Sequence, residues 1–188
     1  TPEDVPIPAN TLAEIRRDLA RLAVIREHIK TIEQERLAQL EKAPAERTHA
    51  MVRLLARIIG IGVETADMLV HEVLSRNLRD RRALARYAGL AGAPDESGSR
   101  RREKGLAKSG NARVRPRVRG GLIQLAWRFL LFQKDSALVR WYRTRTEGST
   151  GKRKTTMIVA LARKLLIAFW RWVTTGEALA GVTLRPAV

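Results

Sequence analysis

From Leu12 onward, apolar residues recur at Ile15, Leu19, Leu22, Ile25, Ile29, Ile32, Leu37 and Leu40, in steps of three and four with one of five. Charged residues fill the gaps, which is the period of an α-helix with one apolar face. Asn10 or Thr11 can cap its start, and Pro44 follows its end. About 30 residues at 1.5 Å each span about 45 Å, too far to lie against a small core. Residues 12–43 are therefore predicted as a coiled-coil arm that pairs with another subunit or a later helix. Arg26 and Glu33 fall on one possible seam, and a surface helix of a larger globule has the same pattern. Residues 1–11 hold three prolines and no periodicity, and read as a linker.

Beyond Pro44 the pattern stays helical. Ala50 to Ile59 and Val63 to Leu74 read as two helices joined by Gly60-Ile61-Gly62, the second burying Ala66, Leu69, Val70 and Val73. The pair, at about residues 50–74, resembles a helix-hairpin-helix, in which Gly60 and Gly62 let backbone N–H groups face a phosphate. A tight turn between packed helices fits as well, and Glu64 and Asp67 near that end weigh against an anion. Arg79 to Tyr87 reads as a short helix, Leu122 to Phe132 as an apolar one, and Thr155 to Val173 as a long one. The fold expected is mainly α: the arm, a compact helical domain over 44–176, and a tail at 177–188. Trp127, Trp141, Trp170 and Trp172 lie in apolar surroundings and are expected in the core rather than as stacking platforms.

Charge changes the picture. Residues 1–99 carry 15 basic and 15 acidic side chains, and residues 100–188 carry 21 and 4, so the second half holds the whole net charge of +17. Such segregation is an electrostatic footprint for nucleic acid rather than a solubilising mixture of signs. The chain has no cysteine, which excludes disulfides and thiolate metal sites. No signal peptide is visible at the start. The most apolar run, Met157 to Val173, is broken by Arg163, Lys164 and Arg171 and is no membrane span. His28, His49 and His71 are isolated, so no metal site is expected.

The candidate chemistry lies between Tyr87 and Arg115. A loop predicted over Ala91 to Gly110 sets Ser97 beside Gly98, with Ser99 on its other side. Arg100, Arg101, Arg102, Lys104 and Lys108 follow, then Asn111, Arg113 and Arg115. Such a segment can bind a polyanion, and a serine within it can turn the chain or attack a phosphate. Residues 144–154 form a second predicted basic loop ending in Lys152, Arg153 and Lys154. Its GSTGK is not a nucleotide-binding loop, because Arg153 stands where Ser or Thr is required.

The order IIGIG-xx-TA, ARYAGL, P-xx-SG, G-L-x-K-x-GN-x-R and finally GKRK…IVALARKLL resembles the C-terminal domain of insertion sequence 110 transposases, relatives of the pilin-gene invertases. The resemblance covers about Leu54 to Gly176, and the preceding helix fits the family's coiled-coil linker. It implies a recombinase whose separate RuvC-like domain binds divalent metal, Mg, through a DEDD tetrad. It also implies a structured bridge RNA that specifies target and donor DNA, and a serine that links covalently to a cleaved strand. That serine falls at Ser97, with Ser99 as runner-up. The partners implied are DNA, the guide RNA and further copies of the chain, in a prokaryotic cytoplasm at the nucleoid. The 188 residues leave no room for the nuclease domain, so this chain is expected to carry no cofactor and to bind nucleic acid without completing recombination. Two other functions fit the residues: a non-catalytic DNA- or RNA-binding module with Ser97 merely turning the loop, and a basic RNA-associated structural protein.

Overall fold

The computed structural model describes residues 6–43, 45–97, 100–106 and 114–186, and over 93–106 and 114–115 the backbone only. The chain divides into two units, Thr1–Pro44 and Ala45–Val188. The first is built on one continuous helix of 34 residues, α1 (Ala9–Lys42). It starts directly after Pro8, whose carbonyl accepts the Leu12 N–H at 2.9 Å. Ile15, Leu19, Leu22, Ile25, Ile29 and Ile32 are all exposed, by 41 to 58%. Pairs three residues apart, such as Arg21 with Asp18 at 2.9 Å, sit on the polar surface, each contributing a few tenths of a kcal/mol.

The second unit is mainly helical: α2 (Arg47–Ala56), α3 (Val63–Leu69, continued by a π turn Val70–Leu74), α4 (Arg81–Tyr87), α5 (Val114–Phe132), α6 (Ala137–Thr146) and α7 (Gly151–Thr175). Between α4 and α5, β1 (Gly92–Ser97) and β2 (Arg100–Leu106) form an antiparallel pair. α7 packs against α5 and α6 and touches α2 and α4. It buries Ile158, Leu161, Leu165, Phe169 and Trp172, one 3.6-residue stripe. Gly176 ends it in the left-handed conformation, its N–H donating to Trp172 O. Ala66, Leu69, Val70 and Val73 are buried as the spacing predicts.

Three expectations change, and the tail gains a structural role. Gly92–Ser97 and Arg100–Leu106 pair as strands rather than forming a loop, because pairing satisfies backbone groups that Gly and Pro left without a helix. The segment 144–154 is mostly helical: α6, which the apolar pattern does not announce, runs to Thr146, and Gly151–Lys154 is the first turn of α7. Trp127 is 47% exposed, because α5 turns Leu122, Leu125, Ala126 and Phe129 inward and leaves Trp127 outside. The tail is a strap, tied through residues 180–185 to the rest of the unit.

The strap is held by hydrogen bonds. Buried Gln133 donates through Nε2 to Ile59 O at 2.7 Å and Thr183 O at 3.0 Å, while its Oε1 accepts the Thr183 N–H at 2.7 Å. Ile58 and Leu184 pair as an antiparallel bridge, and Arg185 donates to the carbonyls of Ala56 and Ile61. Ala137 N donates to Ala180 O at 3.0 Å. Gly181 has φ +70, and a Cβ there would lie 2.6 Å from Asp135 O, so only glycine fits this approach.

Candidate nucleic-acid interface

The turn between α2 and α3 separates its two glycines. Gly60 is buried with φ +97, and a Cβ there would lie 3.1 Å from the Phe132 side chain. Its glycine is explained by packing against the end of α5. Gly62 is half-buried and extended at the N-terminus of α3, and a Cβ there meets nothing within 4 Å. Glu64 occupies the first turn beyond it.

The hairpin sets the position of Ser97. Its register pairs Pro94 with Glu103, Asp95 with Arg102, Glu96 with Arg101 and Ser97 with Arg100. Acidic positions thus stand across from basic ones, a pattern that favours antiparallel pairing in a sequence otherwise poor in strand formers. A register shift between Gly92 and Pro94 bends the ribbon at its base. Ser97 occupies the last paired position, at the connecting end. Ser99, Lys108, Asn111 and Arg113 lie outside the described residues, as do the side chains of Ser97, Arg100, Arg101, Arg102, Lys104 and Arg115.

Lys152, Arg153 and Lys154 are exposed in the first turn of α7. Cations there oppose the helix dipole, and no acidic residue balances them in that turn. The turn is fixed from behind, since Tyr142 Oη donates to Lys154 O at 3.4 Å and burial raises the Tyr142 pKa above its usual value. α6, which carries Tyr142, is capped by buried Ser136, whose Oγ accepts the Val139 N–H at 3.2 Å.

Sequence reasoning missed a second gathering of cations. Arg81 and Arg82 open α4 and share a groove with Lys164 and Arg171 of α7. α4 is placed by its cap, Asp80, whose Oδ1 accepts the N–H groups of Arg82 and Ala83, both at 2.8 Å. The Ala83 hydrogen bond is the main cause holding the Asp80 carboxyl below its ordinary pKa; partial desolvation opposes it, and Arg82 N–H and Arg79 add to it. No local pattern announces the groove, because its cations are separated by about half the chain. His49 pairs with Glu46 at 3.5 Å and His71 with Asp67 at 3.3 Å. Among the described residues no three His, Cys, Asp or Glu gather as metal ligands. The described side chains do not make a site for the divalent metal, which the resemblance assigns to a separate nuclease domain.

Residues 52–143 match the protein family described as Transposase IS116/IS110/IS902. The chain is 41% identical, over 96% of its length, to the Sinorhizobium fredii (strain NBRC 101917 / NGR234) protein named "Putative transposase y4rJ". It spans 46% of that relative. No helix among the described residues is long and apolar enough to cross a membrane. The matched segment runs from α2 through the hairpin into α6, so the chain carries a transposase domain of the IS116/IS110/IS902 family.

Proposed function

We propose that this domain holds DNA in a transposase and supplies Ser97 as the nucleophile that links protein to a cleaved strand. The observation that carries the reading is the place of Ser97: the end of a hairpin whose second strand begins Arg100-Arg101-Arg102, within a transposase-family domain. The step is a transesterification. A P–O bond to Ser97 Oγ forms as the P–O bond to the leaving sugar oxygen breaks, and the serine proton ends on that oxygen. One phosphodiester replaces another, so no outside energy source is needed to reseal the strand. In-line attack brings the hydroxyl within about 3–3.5 Å of phosphorus. The neighbouring basic positions neutralise the phosphate and the charge that develops on it. A two-stranded ribbon is marginally stable in water by itself, so bound nucleic acid is what holds Ser97 for attack. The same excess of cations suits a structured guide RNA as a second polyanion.

Binding is expected to be steeply salt-dependent. On duplex DNA each neutralised phosphate contributes about −0.9 to the slope of log K against log salt. Replacing Lys152, Arg153 and Lys154 together by alanine should make that slope shallower by roughly 2–3 and weaken all sequences alike. A salt titration that is flat for the unaltered chain, or whose slope ignores the triple substitution, contradicts this reading.

α1 is proposed to pair with the same helix of a second copy. Ile15, Leu22 and Ile29 recur every seven residues with Ile25 and Ile32 three further on, and all five are exposed. Residues 1–44 carry 7 basic and 8 acidic side chains, so like charge does not oppose self-pairing. Leu22→Glu with Ile29→Glu should lower the mass seen in sedimentation equilibrium. If the unaltered chain sediments as a monomer, the pairing is wrong.

A further inference from the structure

The groove between α4, α6, α7 and the strap is large, about 770 Å³, and it is two-sided in chemistry. Arg81, Arg82, Lys164 and Arg171 supply cations to its lining. The acidic residue of the lining is Glu177, which pairs with Arg171 at 3.7 Å. Leu138, Ile167 and Leu179 make an apolar surface beside Trp141, and the Lys164 ammonium sits 4.6 Å from the centre of the Trp141 ring. Lys164, Ile167 and Arg171 follow at i, i+3 and i+7, so one face of α7 carries cation, apolar contact and cation in turn.

We propose that this groove holds an unpaired single strand of DNA, its bases against Trp141 and the apolar surface and its phosphates on the surrounding cations. The inference rests on the reading of the domain as DNA-binding and adds which form of DNA the groove grips. Charge selects a polyanion over a neutral ligand. The apolar surface selects unpaired bases: a duplex keeps its base faces stacked inside and gains nothing from Leu138, Ile167 and Leu179, whereas a single strand offers a base face at every nucleotide. DNA is named rather than RNA because the inference rests on the reading of the domain as DNA-binding, and the oligo-U probe below separates the two. In a strand-exchange enzyme such a groove keeps a released strand from re-annealing before it is joined to its new partner.

The experiment compares the whole chain with its Arg82→Glu and Lys164→Glu variants on three labelled probes: an oligo-dT of about 12 nucleotides, a duplex of the same length, and an oligo-U. Both altered side chains are exposed, and either variant that keeps the parent's melting transition decides the question. Each should lose at least about tenfold in affinity for oligo-dT and less than about threefold for the duplex. Oligo-dT should also quench tryptophan fluorescence, and Trp141→Phe should remove part of that quenching. Unchanged oligo-dT affinity in both variants, equal losses on duplex and single strand, or tighter binding of oligo-U than of oligo-dT overturns the proposal. A chain that binds none of the three probes at low salt overturns the DNA-binding reading itself. Duplex binding that persists while the variants leave oligo-dT untouched overturns only the groove.

Discussion

On the proposed reading, when this chain is joined to a nuclease domain of the kind the resemblance implies and supplied with DNA and guide RNA, Ser97→Ala is expected to abolish the covalent protein–DNA adduct. Strand cleavage should fall by about a thousandfold or more, since no neighbouring group replaces a lost nucleophile at equal efficiency. DNA affinity should stay within about fivefold, because one neutral hydrogen bond contributes about 1 kcal/mol. That split between chemistry and binding separates a nucleophile from a turn residue. A serine that only shapes the hairpin end would, on substitution, shift binding and cleavage together. The measurement is capture of the adduct on denaturing gels, followed by mass spectrometry of the modified peptide. A phosphodiester mapped to Ser99 moves the nucleophile across Gly98. An adduct of undiminished yield in Ser97→Ala removes Ser97 from the chemistry.

The second large effect is on stability. Gln133→Leu keeps the side chain's bulk but removes three hydrogen bonds, to Ile59 O, Thr183 O and Thr183 N–H. These backbone groups then stand beside an aliphatic side chain. At about 1–3 kcal/mol for each buried polar group left unsatisfied, the loss should be about 3 kcal/mol or more. For a unit of this size that lowers the melting temperature by roughly 2–4 °C per kcal/mol, about 6–12 °C in all. Gln124→Leu, at an exposed position of α5, is the control and should shift it little. A Gln133→Leu melting curve that overlays the parent's would mean that the strap is not held through this residue.

How much of this was legible beforehand follows from the range of the forces involved. α1 and α7 could be read because their apolar periodicity is local and repeated over many turns. The α2–α3 turn could be read from Gly60 and Gly62, but not the reason for Gly60, since Phe132 lies 72 residues further along. The hairpin was hidden because Gly92–Ser97 and Arg100–Leu106 are poor in β-branched and aromatic residues. The strap has no periodicity: its bonds run to Gln133 and to residues 56–61, up to 129 positions away. Trp127 misled because a stretch broken only by Gln124 and Arg128 does not by itself say which side of its helix faces out. The groove combines α4, α6, α7 and the strap, and becomes visible only when the fold brings them together.

The strap also sets the order in which this unit can be completed during synthesis. Arg57 and Arg185, which bond through their backbones, are 128 residues apart. At about 5–20 residues per second, a ribosome takes roughly 6–26 s to travel between them. For that interval Ile58, Ile61 and the carbonyls that Gln133 and Arg185 later engage belong to a nascent chain whose closing segment has not been made. α2 and α3 can dock at once, because their contact is local, but the turn joining them stays open until Thr183 and Leu184 emerge. The segment that carries the family match is therefore translated before the residues that seal it, and errors of folding or nicks by proteases should concentrate in that window.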